Sequence, residues 1–124
     1  MPSYLKLFTT LFNQLLFDLT IIFPKENNLK NYYMAVSNLI KVNPRLVLNY
    51  FVYYVYPYKE LIINKNEEFF LGEDYYKDKL SKENSLIHAT RLKKLWKNMD
   101  QEIKNKVWEY FINLIKLSEL ATNK

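Results

Sequence analysis

Apolar residues recur at spacings of three and four along most of this chain, and a few polar joints break the recurrence. From Ser3, a good N-cap, Leu5, Phe8, Phe12, Leu15, Leu19 and Ile22 make one seam, which predicts a first helix ending before Pro24. The joint Lys25-Glu26-Asn27-Asn28 follows, with Asn27 or Asn28 as the next cap. Leu29, Tyr32, Tyr33, Val36, Leu39 and Ile40 then mark one face of a second helix. Asn43-Pro44 restarts the chain with a cap and a proline at the first helical position, where a missing N–H is tolerated. A third helix is expected from there to about Tyr56, bent at Pro57 and carried on through Ile63. Its Leu46, Tyr50, Tyr53 and Tyr54 accompany Val47, Phe51 and Val55, so burial on more than one side is predicted. Val and Tyr also favour strands, but the Asn-Pro start and the lack of a second comparable run favour helix.

The pattern is strongest at the C-terminal end. A fourth helix is predicted over 82–98 and a fifth over 101–121, joined by Asn98-Met99-Asp100. Asp100 suits the N-cap and Glu102 the first turn, where negative charge complements the helix dipole. Ile103, Val107, Phe111, Leu114 and Leu117 line one face, with Trp108, Ile112 and Ile115 beside it. Glu102, Asn105, Lys106, Glu109, Asn113 and Lys116 are left as a narrow polar strip. A helix so apolar around its girth needs several partners, so it is expected to sit at the centre of a bundle.

Residues 64–84 interrupt the periodicity. Lys59 to Glu83 carries a net charge of −2 inside a chain of net +5. Glu67, Glu68, Phe69, Phe70, Asp74, Tyr75 and Tyr76 mark an acidic and aromatic loop, a candidate interaction loop. Phe69, Phe70 and Leu71 are expected to pin it to the body. Loops of this length in a compact domain are unusual and tend to be functional or partly structured.

Composition sharpens this picture. The 124 residues suffice for one domain with a real core, 1–124. Gly occurs once and Pro four times, which favours long helices with short joints. The single Gly72 rules out phosphate-binding glycine loops. No Cys and one His remove thiolate metal sites and the usual His-paired nucleophiles. His88 shares a register with Leu92, Leu95 and Met99, as an ordinary histidine at a core edge does. The acidic loop lacks the spacing of a calcium site, and no cofactor or metal is expected. Asn13, Gln14 and Asp18 interrupt the apolar N-terminus, so neither a signal peptide nor a membrane span is predicted.

The best candidate basic patch is Arg91, Lys93, Lys94, Lys97, Lys104 and Lys106. Such a patch can meet phosphates or an acidic partner. It lacks an aromatic stacking platform, and lysines on exposed helix faces are ordinary. The cations are 16 Lys and two Arg, and Lys, Asn, Ile and Tyr all have A/T-rich codons, so genome composition accounts for part of the charge. The helix after Asp100 is too apolar to lie in a DNA groove as a recognition helix. Eleven Tyr, several crowded at Tyr53, Tyr54, Tyr56 and Tyr58, favour a protein interface over a catalytic site.

Several stretches are similar to a group of short helical proteins of nucleocytoplasmic large DNA viruses. They are Asn43-Pro44-Arg45, Tyr58-Lys59-Glu60, Asn64-Lys65, Glu67 to Leu71, Leu95 to Asn98, Val107-Trp108 and Leu114 to Leu117. The resemblance implies a viral origin, in keeping with the A/T bias, and no activity or catalytic residue. The expectation is therefore an all-α compact bundle of about five helices, with the acidic and aromatic loop between the third and fourth. The function expected is non-enzymatic protein–protein interaction inside the cell, in host cytoplasm or virion. A basic nucleic-acid-associated protein is the alternative.

Overall fold

The sequence caps explain where the helices begin. In the computed structural model, which describes residues 3–71 and 93–123, α1 (Tyr4–Ile22) starts where Ser3 Oγ accepts from the Lys6 N–H at 3.2 Å. Phe23 ends it, its N–H returning to Leu19 O. α2 (Asn27–Val42) begins one residue earlier than the asparagines suggested. Glu26 holds the cap position there without a side-chain capping bond. α3 (Pro44–Tyr54) has the cap expected of it, with Asn43 Oδ1 accepting from the Leu46 N–H at 3.3 Å and Pro44 in the first turn.

The third element is not one helix to Ile63. Pro57 has no N–H to donate and its ring crowds the preceding turn. The chain therefore closes with Val55 N–H on Phe51 O, passes through a 3-10 turn at Tyr56–Tyr58, and resumes as α4 (Lys59–Ile63). α4 ends in a Schellman arrangement: Asn66 N–H reaches Leu61 O at 2.8 Å and Lys65 N–H reaches Ile62 O at 3.0 Å. This puts Lys65 at a φ of 53°, a left-handed position usually given to glycine. Asn66 Oδ1 then accepts from the Glu68 N–H at 3.0 Å and starts α5 (Glu68–Leu71). A helical segment at 93–97, α6, leads through Asn98 to α7 (Gln101–Thr122). Asp100 Oδ1 caps α7 by accepting from the Ile103 N–H at 2.9 Å. All regular elements among the described residues are helical.

The chain forms two compact units, Met1–Pro57 with Tyr110–Lys124, and Tyr58–Glu109. In the first, α1, α2 and α3 pack on one another. Phe8, Leu15, Leu16 and Leu19 of α1, Val36 of α2, and Val47, Leu48 and Phe51 of α3 are buried, as are Leu114 and Ile115 of α7. Phe8 meets Phe51 edge-on at 5.0 Å. Two tyrosine–carboxylate bonds tie α7 into this unit. Tyr56 Oη donates to Glu119 at 2.6 Å, and Tyr110 Oη donates to Asp18. Ser118, fully buried, is satisfied by donating to Ile115 O at 2.7 Å.

In the second unit the core is aromatic. Phe70 stacks on Trp96 at 4.2 Å, Trp108 meets Trp96 edge-on at 5.2 Å, and Phe69 meets Phe70 edge-on at 4.9 Å. Ile62, Leu95 and Val107 are buried with them. The polar strip expected on α7, from Glu102 to Lys116, is exposed throughout, while Phe111, Ile103 and Leu117 are half-buried rather than core.

α1 is the one helix among the described residues long and apolar enough, by length and composition, to cross a membrane. It lies near the N-terminus, and its buried residues belong to the core just described.

Candidate interaction surface

α3 departs most from its sequence pattern. Val47, Leu48 and Phe51 fill the core, but Tyr50 and Tyr53 keep 53% and 61% of their surface, and Tyr54 is exposed too. The expectation of burial on more than one side is therefore corrected: α3 is buried on one side only. The physical reason is that a tyrosine carries a polar tip and accepts a half-wet position that a phenylalanine would resist. Arg45, Asn49 and Tyr53 are four residues apart and form one exposed strip, and Tyr50 and Tyr54 form the next. The rings support each other: Tyr53 meets Tyr54 edge-on at 4.8 Å, and Tyr50 lies 6.3 Å from Tyr54. Such mutual contacts lower the ordering cost of presenting rings to a partner.

The segment that carries this face has charges of one sign. Between Asn27 and Tyr58 the sequence has Lys30, Lys41 and Arg45 and no carboxylate. Lys41, Val42 and Arg45 are exposed around the α2–α3 corner, Val42 at 83%. Tyrosine and arginine are the residue types that most often dominate binding energy at interfaces. The surface is thus aromatic with a cationic margin.

The candidate loop is partly resolved into structure. Phe69 and Phe70 are buried, so they anchor α5 and are not available to a partner. Glu67 is engaged locally: its Oε2 accepts from Trp96 Nε1 at 3.0 Å and lies 3.7 Å from Lys104 Nζ. Lys104 also sits 5.2 Å above the Trp96 ring and is only 18% exposed. That removes Lys104 from the basic patch, because its charge is already matched by a carboxylate and a ring face. Glu68 is exposed. Lys94 and Lys97 of α6 and Lys106 of α7 are exposed, and Lys93 is half-buried. Asp74, Tyr75, Tyr76, His88 and Arg91, and most of the fourth helix expected over 82–98, lie outside the described residues. Among the described residues no three His, Cys, Asp or Glu side chains group as metal ligands do.

Among the described residues Tyr110, at a helix contact, has the most strongly displaced ionisation. Desolvation, then the hydrogen bond to Asp18 and that carboxylate's charge, push it up to about 12. Gln14 Nε2 donates to the other Asp18 oxygen at 2.8 Å, so Asp18 is held by two donors. This is a clasp between α1 and α7, with no substrate-facing geometry.

No protein-family model matches the chain, nor does any curated protein or solved structure.

Sequence reasoning singled out Tyr53 and Tyr54 among crowded tyrosines that favour an interface, but missed Tyr50 and Arg45 beside them on the same helix. The usable signal was the absence of any other polar residue, beyond Arg45 and Asn49, to form the solvent side of α3.

Proposed function

We propose that this is a non-enzymatic protein-interaction protein whose contact surface is the tyrosine face of α3. The observation that carries the reading is the exposure of Tyr50, Tyr53 and Tyr54 on adjacent strips with Arg45. Exposed aromatic rings in a supported cluster are expensive to hydrate and favourable to cover. The cationic margin favours a partner that presents carboxylates, because complementary charge steers association and rejects wrong partners. The resemblance to short helical proteins of large DNA viruses supports a viral setting, as a virion component or a binder of host proteins inside the cell.

The nucleic-acid reading draws on Lys94, Lys97 and Lys106, which are exposed, and loses Lys104 to Glu67 and Trp96.

Affinity capture from cells expressing the full chain, compared with Tyr50→Ser/Tyr53→Ser, tests the proposal. Both positions are exposed, so the variant keeps its helical circular dichroism. Loss of specifically captured proteins from the variant supports the reading, and an identical captured set overturns it. Capture that depends on nuclease-sensitive material and weakens steeply with salt would replace it with the nucleic-acid alternative.

A further inference from the structure

A groove of about 420 Å³ runs between α1 and α2, and its wall is unusual for a helix–helix seam. Two packed helices normally close such a seam with apolar side chains. Here Thr9, Thr10 and Asn13 of α1 face Ser37 of α2, and small polar side chains leave the space open. Ser37 Oγ donates to Asn13 Oδ1 at 2.8 Å, which uses the amide's acceptor and leaves its NH₂ donors over.

The helices are antiparallel, and their register orders the groove. Phe17 lies 5.7 Å from Tyr33, and Asn13 bonds to Ser37 four residues along each helix. One turn further on come Thr10 and Lys41, both exposed and both lining the groove. The groove is therefore about two helical turns long, roughly 11 Å. It has an aromatic end, a centre of amides and hydroxyls, and a cationic end. Among the described residues no carboxylate lines it. The nearest on α1, Asp18, is already engaged by Gln14 and Tyr110.

We infer that this groove is a binding site for a mononucleotide, with the base against Phe17 and Tyr33, the ribose hydroxyls at Asn13 and Ser37, and the phosphate at Lys41 and Thr10. Each portion of the ligand meets the matching chemistry in the same order. A flat base stacks on the exposed Phe17 ring beside the half-buried Tyr33. Sugar hydroxyls both donate and accept, as the amide–hydroxyl centre requires. A phosphate gains a charge-assisted bond from the ammonium and a neutral one from the threonine. The inference concerns a different face from the α3 tyrosines and stands independently of them.

The test is a titration of the isotope-labelled full chain by NMR with AMP, adenosine and inorganic phosphate, on the native protein and on Lys41→Ala and Phe17→Ala. Both substituted residues are exposed, and helical circular dichroism checks that each variant folds. AMP is expected to bind saturably, moving the amides of Thr10, Asn13, Phe17, Ser37 and Lys41. Adenosine and phosphate alone should bind at least about tenfold more weakly. Lys41→Ala should weaken AMP about tenfold, the scale of one charge-assisted bond, and leave adenosine unchanged. Phe17→Ala should weaken AMP and adenosine alike. Absence of saturable AMP binding overturns the inference, as does binding that Lys41→Ala leaves unchanged or that moves amides outside the groove. A single-stranded oligonucleotide that binds more tightly than AMP, with shifts extending over α3, overturns the free-nucleotide assignment.

Discussion

Removing Trp96 should unfold the aromatic core of the Tyr58–Glu109 unit, and the chain carries its own reporter for the experiment. Trp96 is 1% exposed, stacked by Phe70 at 4.2 Å and met edge-on by Trp108 at 5.2 Å. Truncating a buried Trp to Ala costs about 3–5 kcal/mol, the spread reflecting how far the site can collapse. With rings fixed on two sides, collapse is limited, so about 4 kcal/mol is expected. The bond from Trp96 Nε1 to Glu67 adds little, because Glu67 is 47% exposed and keeps Lys104 beside it. Its loss adds less than about 1 kcal/mol after solvent screening. For a denaturant slope of about 2 kcal/mol/M in urea, the midpoint should fall by about 2 M. Trp108 is then the only tryptophan left, and it lies in the same unit, so its emission follows that unit. Trp96→Phe keeps the stacked ring, loses the N–H, and should cost about 1 kcal/mol. A midpoint lowered by less than about 0.5 M in Trp96→Ala would refute the core assignment. Equal losses in Phe and Ala variants would refute the claim that ring packing, rather than the hydrogen bond, dominates.

Other outcomes follow from single residues. Tyr110→Phe should lose about 1 kcal/mol or less at pH 8, since its bond to Asp18 is partly screened. Below pH 10 the hydroxyl is protonated in both states and its contribution is whole. Between pH 10 and about 12 only the unfolded chain gives up the proton, so stability falls as pH rises. The gap between native protein and Tyr110→Phe should therefore narrow over that window in paired denaturant titrations. Lys65→Gly should raise the thermal midpoint, gaining up to about 1 kcal/mol by relieving a left-handed position held by a residue with a Cβ. Asp100→Ala should cost about 1 kcal/mol through loss of the α7 cap, lowering the urea midpoint by about 0.5 M. Leu48→Ala, at a fully buried position, should cost about 2–5 kcal/mol, and a cost within 0.5 kcal/mol of zero would contradict its place in the core.

The helix starts were legible because caps are local chemistry. Ser3, Asn43 and Asp100 each bond to a backbone N–H three residues on, an interaction that sequence alone can specify. The break at Pro57 was legible for the same reason, but its extent was not, since a proline forbids a helical bond without stating what replaces it. The turn at Lys65 escaped notice because its backbone bonds, not its side chain, demand the left-handed residue. Glu26 starting α2 shows the converse: a helix can begin without a side-chain cap where packing supplies the stability.

The candidate surfaces were less legible because they depend on contacts distant in sequence. Nothing near Glu67 indicates that Trp96, 29 residues away, would donate to it, and nothing near Lys104 indicates the ring beneath it. Both charges counted as surface by composition and are spent within the fold. The tyrosines err in the opposite direction. Periodicity assigns Tyr50, Tyr53 and Tyr54 to apolar positions, yet periodicity cannot distinguish a face that a core covers from one that only a partner would cover. The three wholly apolar side chains buried on α3, Val47, Leu48 and Phe51, already supply its core contact, so the tyrosine strips are left to solvent. Tyr50, Tyr53 and Tyr54, on a segment with no carboxylate between Asn27 and Tyr58, make a face that water tolerates because each ring carries a polar tip.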